Sequence, residues 1–481
     1  MSIFYLSLKL VNQFRVSKLP FLSPEIDIIH LMSETKRILV LGGGFAGVEC
    51  VRKLESYFPN ENDVQISMVS VDNFFLFTPM LPQVASGTIE TRHIVIPVRT
   101  LLKRTKFYEA EVKNIDPYGK TVTLSGTKEK RGISLHYDYL VLALGSQTNF
   151  FGMDKLEQLA YSMKTLNDAV VLRNRVIDML EQADNETNPI LKKSLLTFVI
   201  VGGGFAGIET AGELMDLLHD ARKYYPNTEK TDIRVIVLEA LPAILPGFNE
   251  KLAKFALEKL HERGIEVKVS TKLSSFSGDE VIIEDARTTT EDTAQFTVNA
   301  IQTRTLVWTA GVTPVDIIKK SVFKTNRGGI VVDEFLQATD FPEVFAIGDC
   351  CYIIDSKTNR PLPPTAQNAE SEAKIVAKNL HAIITNKDKE KFVYSPRGQM
   401  AVIGKRSAIA SMFGIHLHGL VAWMIWRVIY LSKIPRLDKK VRIFLDWSID
   451  MFFDRDIARL KVMREKPVEE FKELDEVDDV W

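Results

Sequence analysis

Two stretches of the chain share one pattern of apolar and polar positions. Residues 37–72 run from an apolar segment, RILVL, through the glycine turn GGGFAG to the amphipathic segment VECVRKLESYF and a second apolar segment, VQISMVS. Residues 197–239 repeat this order with TFVIV, GGGFAG, IETAGELMDLLHDARKYY and DIRVIVLE. A short apolar run before a glycine turn indicates a buried strand, and apolar residues three or four positions apart indicate a helix. The pattern therefore predicts two strand–helix–strand units with parallel strands.

Three further apolar runs end in glycine and help to place the two units. YDYLVLALGS (137–146) and RTLVWTAGV (304–312) each predict a buried strand followed by a glycine, whereas EVFAIGDCC (343–351) leads into a Gly-Asp pair. The order of glycine turn, glycine-ended strand and Gly-Asp strand suggests that one nucleotide-binding domain is interrupted by another.

The spacing Gly42-x-Gly44-x-x-Gly47 has a physical purpose when a strand precedes it and a helix follows it. The first glycine permits a tight turn, the second lets a pyrophosphate approach the backbone, and the third lets the helix pack close to the strand. The phosphates then meet the free N–H groups and the positive dipole end of the helix. A single copy would fit an ordinary tight turn equally well. A second copy at residues 202–207 favours two dinucleotide sites.

The end of the second strand of such a unit carries an acid that binds the ribose hydroxyls. In the second unit this acid is Glu239. Its charge favours NAD(H) over NADP(H), because it would repel a 2′-phosphate. In the first unit Ser70 occupies that place and Asp72 follows two residues later. Either Asp72 reaches back to the ribose or a hydroxyl group binds it.

The Gly348-Asp349 pair indicates which turn holds which dinucleotide. An acid at a strand end beside a helix suits a ribityl chain, and this acid lies far along the chain from the first glycine turn. Closing the first unit in this way wraps a whole domain around its ligand. These features favour FAD at the first turn and an exchangeable nicotinamide dinucleotide at the second.

Length, charge and cysteine content set further limits. The chain has 481 residues, which is too long for one core. Its formal net charge is −1, so no overall basic excess points to nucleic acid. The three cysteines, Cys50, Cys350 and Cys351, form neither a disulfide framework nor a CxxC metal site. We therefore expect no metal and a reducing, cytosol-facing compartment.

The C-terminal region predicts a surface that contacts a membrane. Residues 407–426 contain no Asp, Glu, Lys or Arg, but their histidines, glycines and serines favour a packed strand and helix over a membrane span. Four charged residues recur every four positions on one helical stripe of residues 438–463: Arg442, Asp446, Asp450 and Asp454. Residues 427–464 hold ten basic and five acidic residues, and a basic amphipathic region fits a lipid interface. A helix packed on the core or at a homodimer contact is the alternative.

These patterns divide the chain into six parts. We expect an acidic tail at 465–481 and an N-terminal extension at 1–34. For its first 31 residues a disordered extension or an over-long assignment of the start is preferred over a transit peptide. Between them we expect, in chain order, an FAD-binding part at 35–160, an NADH-binding domain at 161–314, a second FAD-binding part at 315–395 and an amphipathic membrane-anchoring region at 396–464. The fold class is therefore α/β, with two Rossmann-like dinucleotide-binding domains, the second inserted in the first, and a C-terminal membrane-associating region.

Taken together, the motifs resemble those of the type II NADH dehydrogenases, the NADH:quinone oxidoreductases among the flavoproteins with two dinucleotide-binding domains. The resemblance covers roughly residues 36–464. It rests on these segments: GGGFAGVE, FLFTPMLPQVASGT, YDYLVLALGS, GGGFAGIETAGEL, TLVWTAGV, FAIGDC, PPTAQNAE, GQMAVIGKRSA and AWMIWRVIYL.

The resemblance implies one set of residues for each dinucleotide. For non-covalently bound FAD the set is Gly42, Gly44, Phe45, Ala46, Gly47, Ser70, Asp72, Thr78, Pro79, Gly145, Asp349 and Ala366. For NADH the set is Gly202, Gly204, Gly207, Glu239 and Gly311.

The resemblance also implies a quinone pocket and a catalytic glutamate. Glu209 would face the nicotinamide and the flavin, and Pro364, Ala366 and Gln367 would belong to the quinone pocket. Glu209 and Gln367 are therefore the predicted catalytic residues, for tuning and positioning, because the cofactor carries the redox chemistry. Members of the family often have a second glutamine four residues after the first. Ser371 stands there in this chain, which leaves the polar contact to the quinone head group open.

The predicted function is that of a non-proton-pumping NADH:quinone oxidoreductase, with hydride transfer from NADH to N5 of FAD and two-electron reduction of a membrane quinone. The resemblance implies a homodimer, peripheral on the cytoplasmic face of the cell membrane in preference to the mitochondrial inner membrane. A sulfide:quinone oxidoreductase is one alternative, which would need redox-active cysteines at the flavin. A non-enzymatic, NAD(H)-sensing flavoprotein is another, which would hold a flavin and turn over no quinone.

Overall fold

The computed structural model describes residues 35–60, 64–126, 132–287 and 295–459. The expected N-terminal extension (1–34) and acidic tail (465–481) lie outside the described residues, as do residues 460–464 of the expected membrane-anchoring region.

The first part of the chain alternates strands with helices. Its elements are, in chain order, β1 (Lys36–Leu41), α1 (Phe45–Tyr57), β2 (Val64–Ser70), β3 (Phe74–Leu76), α2 (Leu81–Ala85), β4 (Val95–Pro97), β5 (Lys106–Glu109), β6 (Val112–Asp116), β7 (Thr121–Leu124), β8 (Ser134–His136), β9 (Tyr139–Leu142) and β10 (Ser146–Thr148). A 3₁₀ turn, Thr78–Met80, leads directly into α2. Both predicted strands of the first unit and its helix are present.

The second part repeats the alternation. Its elements are α3 (Asp154–Leu159), β11 (Tyr161–Ser162), α4 (Leu166–Asn185), α5 (Pro189–Leu195), β12 (Thr197–Val201), α6 (Phe205–Ala221), β13 (Arg234–Leu238), α7 (Glu250–Glu262), β14 (Ile265–Lys268), β15 (Thr271–Phe276), β16 (Glu280–Arg287), β17 (Gln295–Gln302), β18 (Thr305–Trp308) and β19 (Val312–Pro314). Every residue of β12 is buried, as expected for a parallel strand that is covered on both faces.

The last part contains short strands, a long helix and a C-terminal unit. Its elements are α8 (Asp316–Lys319), β20 (Thr325–Asn326), β21 (Gly329–Val331), β22 (Gln337–Ala338), β23 (Phe341–Ala346), β24 (Cys351–Tyr352), α9 (Ala366–Ile384), β25 (Gln399–Gly404), β26 (Ser407–Met412), β27 (Ile415–His418), α10 (Gly419–Lys433) and α11 (Leu437–Phe452). The apolar stretch 407–426 is thus a strand pair followed by a helix, as its composition predicts.

One sheet is built around β1 and runs in the order β22-β23-β9-β1-β2-β5. All of its pairs are parallel except the β22–β23 edge. Going outward from β1, the chain first builds β2 and β5 on one side and then β9 and β23 on the other. Strand order therefore reverses beside β1, and ligands bind in the crevice at the carboxyl ends of strands at such a point. Residues 143–340 separate β9 from its neighbour β23.

A second, wholly parallel sheet runs in the order β11-β18-β12-β13-β14. Here the order reverses beside β12, so the crevice lies where the second glycine turn leaves that strand. An antiparallel sheet, β15-β16-β17, follows β14.

The C-terminal unit covers α6, the helix that follows the second glycine turn. Strand β25 packs directly on α6, and a Cβ at Gly212 would lie 2.5 Å from the carbonyl oxygen of Ile403. Only a glycine at this position permits so close an approach of the two backbones. Helix α6 is therefore buried almost all round, and its buried residues include the acids Glu209, Glu213 and Asp216 as well as apolar side chains.

Helices α10 and α11 pack against each other through the rings of Trp426 and Trp447, whose centroids are 5.9 Å apart. Helix α11 ends at Phe452. The expected helical stripe is therefore shorter than the sequence suggested, and Asp454 lies beyond the helix.

Candidate active site

The first glycine turn leaves the amino end of α1 open. Gly42 has φ of +116°, and a Cβ at Gly47 would lie 1.9 Å from the carbonyl oxygen of Gly42, so the helix packs tightly on the turn as predicted. A Cβ at Gly44, by contrast, would meet no described heavy atom within 4 Å. The first turn of α1 carries no acid. Its free N–H groups and dipole can therefore receive an anion.

A cleft of about 850 Å³ opens above this turn. Eight of the residues predicted to bind FAD line it: Gly44, Phe45, Ala46, Asp72, Thr78, Gly145, Asp349 and Ala366. Gly42 and Gly47 shape the turn beneath it, Ser70 lies under Gly43, and Pro79 is half-buried in the 3₁₀ turn beside Thr78. The cleft thus joins segments that are more than 300 residues apart in the chain.

Lys164 lies in this cleft and was missed by the sequence reasoning. Its ammonium group donates to the hydroxyl of Ser146 at 2.7 Å and lies 3.5 Å from Oδ2 of Asp349. Ser146 also donates to Asp349 at 2.6 Å. The sequence signal available was the capping box Thr165–Asp168, which fixes the chain directly after Lys164 but carries no ligand motif.

Asp72, the candidate ribose acid of the first unit, faces the cleft. Burial raises the pKa of its carboxyl, and the nearby charge of Glu109 raises it further. Ser70 lies beneath the turn, because a Cβ at Gly43 would be 2.4 Å from its hydroxyl oxygen. The cleft is therefore more accessible to Asp72 than to Ser70.

The second glycine turn repeats this geometry. Gly202 has φ of +111°, and a Cβ at Gly207 would lie 1.8 Å from the carbonyl oxygen of Gly202. At Gly204 a Cβ would again meet no described heavy atom within 4 Å. The amino end of α6, like that of α1, is open to an anion.

Glu239 is held against the second turn. Its Oε2 accepts from the N–H of Gly203 at 2.6 Å, and its Oε1 accepts from the N–H of Leu241 at 2.7 Å. Its exposure is 8%. The acid therefore sits, as predicted, at the end of β13 where an adenosine ribose would meet the turn. Gly311, the other predicted contact for NADH, faces the ring of Phe151.

Glu209 is buried on the first half of α6. Its Oε1 accepts from the N–H of Val402 in β25 at 3.0 Å. Burial raises the pKa of its carboxyl to about 8, although the hydrogen bond from Val402 opposes this, and the charge of Glu213 adds to the rise. Tyr430 of α10 faces the same carboxyl, and its own pKa is raised, first by burial and then by Glu209. Glu209 therefore holds a proton at neutral pH.

Gln367 and Ser371 are engaged within the protein. In the amide orientation that satisfies both of its atoms, Gln367 donates to the carbonyl oxygen of Gly398 at 3.2 Å and accepts from the N–H of Arg397 at 2.7 Å. Ser371 donates to the carbonyl oxygen of Gln367 at 2.9 Å. The cleft is lined by Pro364 and Ala366 of this motif. Gln367 and Ser371, the two side chains predicted to contact a quinone head group, do not line this cleft.

All three cysteines are free thiols; Cys50 and Cys350 are buried, and Cys351 is half-buried. Cys350 donates to the carbonyl oxygens of Leu142 and Ile347, each at 3.3 Å, and burial raises its pKa to about 12. Burial also raises the pKa of Cys50 and of Cys351. In the portion of the chain that the structure describes, no group of three His, Cys, Asp or Glu side chains could hold a metal ion.

Helices α10 and α11 expose a broad apolar face. It consists of Leu420, Val421, Met424, Val428, Leu437, Val441, Phe444, Leu445, Ile449 and Phe452. Two acids of the charged stripe of α11 face the protein: Asp450 is buried, and Asp446 accepts from the N–H of Glu90 and contacts the ring of His93, whereas Arg442 of the same stripe is exposed. No helix within the described ranges combines the length and apolar character needed to cross a bilayer.

Comparisons with known proteins agree with this geometry. A family model for pyridine nucleotide-disulphide oxidoreductases matches residues 36–373, and a model for the NDH2 C-terminal domain matches residues 397–456. The chain is 32% identical to External NADH-ubiquinone oxidoreductase 2, mitochondrial, of Saccharomyces cerevisiae, with 88% of this chain and 82% of that protein covered. It is 29% identical to the Type II NADH:quinone oxidoreductase Ndh of Mycobacterium tuberculosis, with 90% and 92% covered.

A solved structure supports the same fold. The structure of NDH2 from Plasmodium falciparum in complex with NADH matches with a TM-score of 0.79 and 21% identity, over 88% of this chain and 100% of that one. At this identity the likeness concerns the fold alone, whereas the family models and the yeast relative extend over most of the sequence. The chain therefore belongs to the type II NADH:quinone oxidoreductases (NDH2) of the pyridine nucleotide-disulphide oxidoreductase family.

Proposed function

We propose that the protein holds FAD over the first glycine turn and NADH over the second, and that it passes the reducing equivalents of NADH to a membrane quinone. It is an NADH:quinone oxidoreductase. One observation carries this proposal: α6, which begins at the second glycine turn, packs against α2, which directly follows Thr78 and Pro79. This contact supports a single site that is shared by the two nucleotide turns, and in this proposal Glu209 of α6 faces it.

The residues of the first cleft fit FAD. Gly44 and Gly145 both present backbone without a Cβ to space that is free of described heavy atoms within 4 Å. The amino end of α1 supplies N–H groups for a pyrophosphate, and Asp349 supplies an acceptor for a polyol chain. The volume of about 850 Å³ lies in the upper part of the range of about 300–1,000 Å³ for small-molecule sites.

The chain's own residues bind, orient and hold a proton. Bound FAD supplies the redox chemistry, since a flavin accepts a hydride from NADH and gives two electrons to a quinone. Glu239 binds the ribose of NADH and disfavours a 2′-phosphate. Glu209 keeps a proton near the rings, because its carboxyl is shielded from solvent. We assign Gln367 and Ser371 to the wall of the quinone pocket, where they fix its backbone.

We further propose that these turns belong to two Rossmann-like domains, the second inserted in the first. The division at 35–160, 161–314 and 315–395 is supported by β23 of the third segment pairing with β9 of the first. The sheet around β12 is built wholly from the second segment. Residues 396–464 form the membrane-anchoring region of this proposal.

The apolar face of α10 and α11 supports peripheral attachment to a membrane. A helix with its apolar face outward and basic side chains at its border lies in the interface of a bilayer with anionic lipids. The border residues here are Lys433, Arg436, Lys439, Lys440 and Arg442. We propose one membrane leaflet, facing the cytoplasm of the cell, as the site of action; the yeast relative is named as mitochondrial, and that inner membrane is the alternative.

Vesicle sedimentation tests this attachment. The double substitution Phe444→Asp and Phe452→Asp places two charges on the apolar face, since both side chains are more than half exposed. We expect the double variant to stay in the supernatant when the wild-type protein sediments with anionic vesicles. Val298→Asp is the matched control, because Val298 is exposed on β17 and should leave sedimentation unchanged. Equal sedimentation of all three proteins would refute the assignment.

Family resemblance also motivates a homodimer. Analytical ultracentrifugation in mild detergent should give twice the mass of the chain, which is 54.4 kDa. A monomer at micromolar concentration would contradict this part of the proposal.

An anaerobic experiment tests the reaction itself. NADH should bleach the flavin absorbance of the purified protein, and a short-chain quinone should then restore it. Failure of NADH to bleach the flavin would overturn the proposed function. Bleaching without reoxidation by quinone would instead favour a non-enzymatic NAD(H)-sensing flavoprotein.

Sulfide serves as the comparison reductant in the same cuvette. Sulfur chemistry at a flavin uses thiolates, and burial raises the pKa of all three cysteines here. We therefore expect no bleaching by sulfide. Bleaching would support a sulfide:quinone oxidoreductase instead.

A further inference from the structure

A buried arginine lies where the membrane-facing unit meets α6. Arg455 follows α11, and its side chain is 2% exposed. Its Nη1 donates to the carbonyl oxygen of Glu213 at 2.8 Å, and its Nη2 donates to Oε2 of the same residue at 3.0 Å. Its Nε donates to Oδ1 of Asp450 at 3.2 Å. Asp216 and Asp220 lie 3.8 and 3.9 Å from the guanidinium.

Glu213 connects Arg455 to the segment after α2, beside the proposed flavin site. Its Oε2 also accepts from the hydroxyls of Ser86 at 2.7 Å and Thr88 at 3.1 Å. Ser86 follows α2 directly, and α2 follows the cleft residue Thr78. One carboxylate oxygen thus joins α6, the segment after α2, and the segment after α11.

The segment that carries Arg455 is fixed on both sides. Asp454 pairs with Lys223, Arg173 donates to the carbonyl oxygen of Asp456 at 2.7 Å, and Arg459 pairs with Asp178. These outer contacts are partly exposed, whereas Arg455 is buried. Surface pairs of that kind contribute little, while an unpaired buried charge is costly. The buried contact is therefore the one whose loss would disturb the site.

Glu213 also determines the charge that faces Glu209. The two acids lie one helical turn apart on α6, so they share a face. The other groups that face Glu209 are Tyr430 of α10 and the N–H of Val402. The groups that face Glu213 are Arg455, Asp216, Asp450 and Arg427 of α10.

We propose that Arg455 is a positioning residue for the redox site. From the end of the membrane-facing unit it fixes Glu213, and through Glu213 it fixes both the segment after α2 and the electrostatic environment of Glu209. This inference rests on the proposed function, in which Glu209 faces the rings. The guanidinium suits the role because its planar fork binds a carboxylate and a carbonyl at once, which a lysine cannot reproduce fully.

Three variants test this role in turnover. Arg455→Met keeps much of the side-chain volume and removes the charge, and we expect kcat to fall about tenfold or more, since the buried carboxylates lose their partner. KM for NADH should stay within about threefold, because Glu239 and Gly204 lie elsewhere. Arg455→Lys should restore part of kcat, since it returns the buried positive charge without the planar fork. Arg459→Met is the matched control in the same segment and should behave as the wild type.

Glu213→Gln gives a second readout, which does not depend on turnover or on Arg455→Met folding. The infrared carbonyl band of protonated Glu209, assigned with Glu209→Gln, can be followed against pH in the protein without added NADH or quinone. Removing the charge of Glu213 should lower the pH midpoint of this band, because one like charge near Glu209 disappears. The Arg459→Met variant should keep the wild-type midpoint.

Three results would overturn the role of Arg455. One is wild-type kcat in Arg455→Met, and a second is an unchanged midpoint in Glu213→Gln. A loss in Arg455→Met that Arg455→Lys does not relieve would reduce the residue to a purely structural part, and so also refutes the proposal. Failure of the proposed function is seen separately, as wild-type flavin that NADH does not bleach.

Discussion

The two glycine turns carry the same acid in the same place, and the two acids have different environments. Glu49 is the second residue after the first turn's GGGFAG, and Glu209 is the second residue after the other. Glu49 lies 3.7 Å from Arg52 and 3.6 Å from Lys374 at a partly open surface. Glu209 is buried against β25 and accepts its hydrogen bond from a backbone N–H.

This difference shows that the motif determines the turn while the covering layer determines the chemistry of the acid. Helix α1 is covered by α9, which brings Lys374. Helix α6 is covered by β25 and faces α10, which bring a backbone donor and a phenol to Glu209 and no basic side chain. A proton is retained where no cation compensates the charge. The acid is therefore shielded from solvent and cations in the second copy of the motif, whereas basic side chains compensate its charge in the first.

The largest expected effect comes from filling the tightest contact of each turn. Gly47→Ala and Gly207→Ala would place a Cβ 1.9 and 1.8 Å from backbone carbonyl oxygens, so each turn must shift. Overpacking of this kind costs about 1–3 kcal/mol of folding stability, and a loss of the same size in binding free energy at the shifted turn corresponds to about 5- to 150-fold in affinity. Gly47→Ala should lose flavin, measured as visible absorbance relative to protein absorbance.

Gly207→Ala should keep its flavin and raise KM for NADH by a similar factor. The pair separates the two assignments, since each variant is the control for the other. If Gly207→Ala lost the flavin and Gly47→Ala kept it, the assignment of FAD to the first turn and of NADH to the second would have to be reversed.

A smaller effect is expected at the ribose acid of the second turn. Glu239→Gln keeps the shape of the side chain and removes its charge. A hydrogen bond to a charged group is worth about 1.5–3 kcal/mol, so KM for NADH should rise about tenfold or more. Discrimination against NADPH should weaken as well, because the repulsion of a 2′-phosphate is lost. Unchanged steady-state kinetics with both dinucleotides would contradict this role.

These turns were predictable from sequence because glycine spacing and flanking apolar runs reflect local backbone geometry. The acid Glu239 was predictable for the same reason, since it ends a strand at a fixed place in the unit. Lys164 was not, because its partners Ser146 and Asp349 lie 18 and 185 residues away from it along the chain, and no local pattern connects them. The buried state of Glu209 was not predictable either, since the layer that covers it lies nearly 200 residues further along the chain.

Helix α11 shows a second limit of sequence reasoning. The four-residue spacing of its charged side chains was visible in the sequence, but this spacing does not tell which face of the helix is buried. Asp446 and Asp450 face the protein, where they contact His93 and Arg455, whereas Arg442 is exposed. The helix buries Ile443 and Trp447 but leaves most of its other apolar side chains outside, unlike an ordinary surface helix.

The two equivalent acids should also differ in how pH acts on stability. The pKa of Glu209 is about 8 in the folded protein and about 4.3 in an unfolded chain. Since the folded value is raised, Glu209 contributes stability fully below pH 4.3, and this contribution is lost as pH rises toward 8. The Glu209→Gln variant has no titrating carboxyl at this position, so it does not lose this stability as pH rises. Its Tm should therefore exceed the wild-type Tm by about 2 °C or more at pH 8 and by less at pH 5.

Glu49→Gln is the matched control for this prediction. It removes the same group from the same position of the motif, at a site where Arg52 and Lys374 already compensate the charge. Its Tm relative to the wild type should change little between pH 5 and pH 8. If the two variants showed the same dependence on pH, the covering layer would not be the cause of the difference.

The smallest effects on ligand binding are expected at Ser70 and Asp72, the two residues near the first glycine turn that could bind a ribose. Ser70 occupies the place beneath Gly43 that Glu239 occupies beneath Gly203, since a Cβ at either glycine would lie within 3 Å of that side chain. Asp72 instead faces the cleft, where it can reach a ribose directly.

Asp72→Asn should weaken FAD binding about two- to tenfold, the value of one hydrogen bond at a partly exposed site. Ser70→Ala should change FAD binding less than about twofold, because its hydroxyl lies under the turn. Titration of the flavin-free protein with FAD, followed by quenching of flavin fluorescence, measures both. A larger loss in Ser70→Ala would mean that the first unit binds its ribose through a hydroxyl, and that the two turns differ in their ligand contacts as well as in their covering layers.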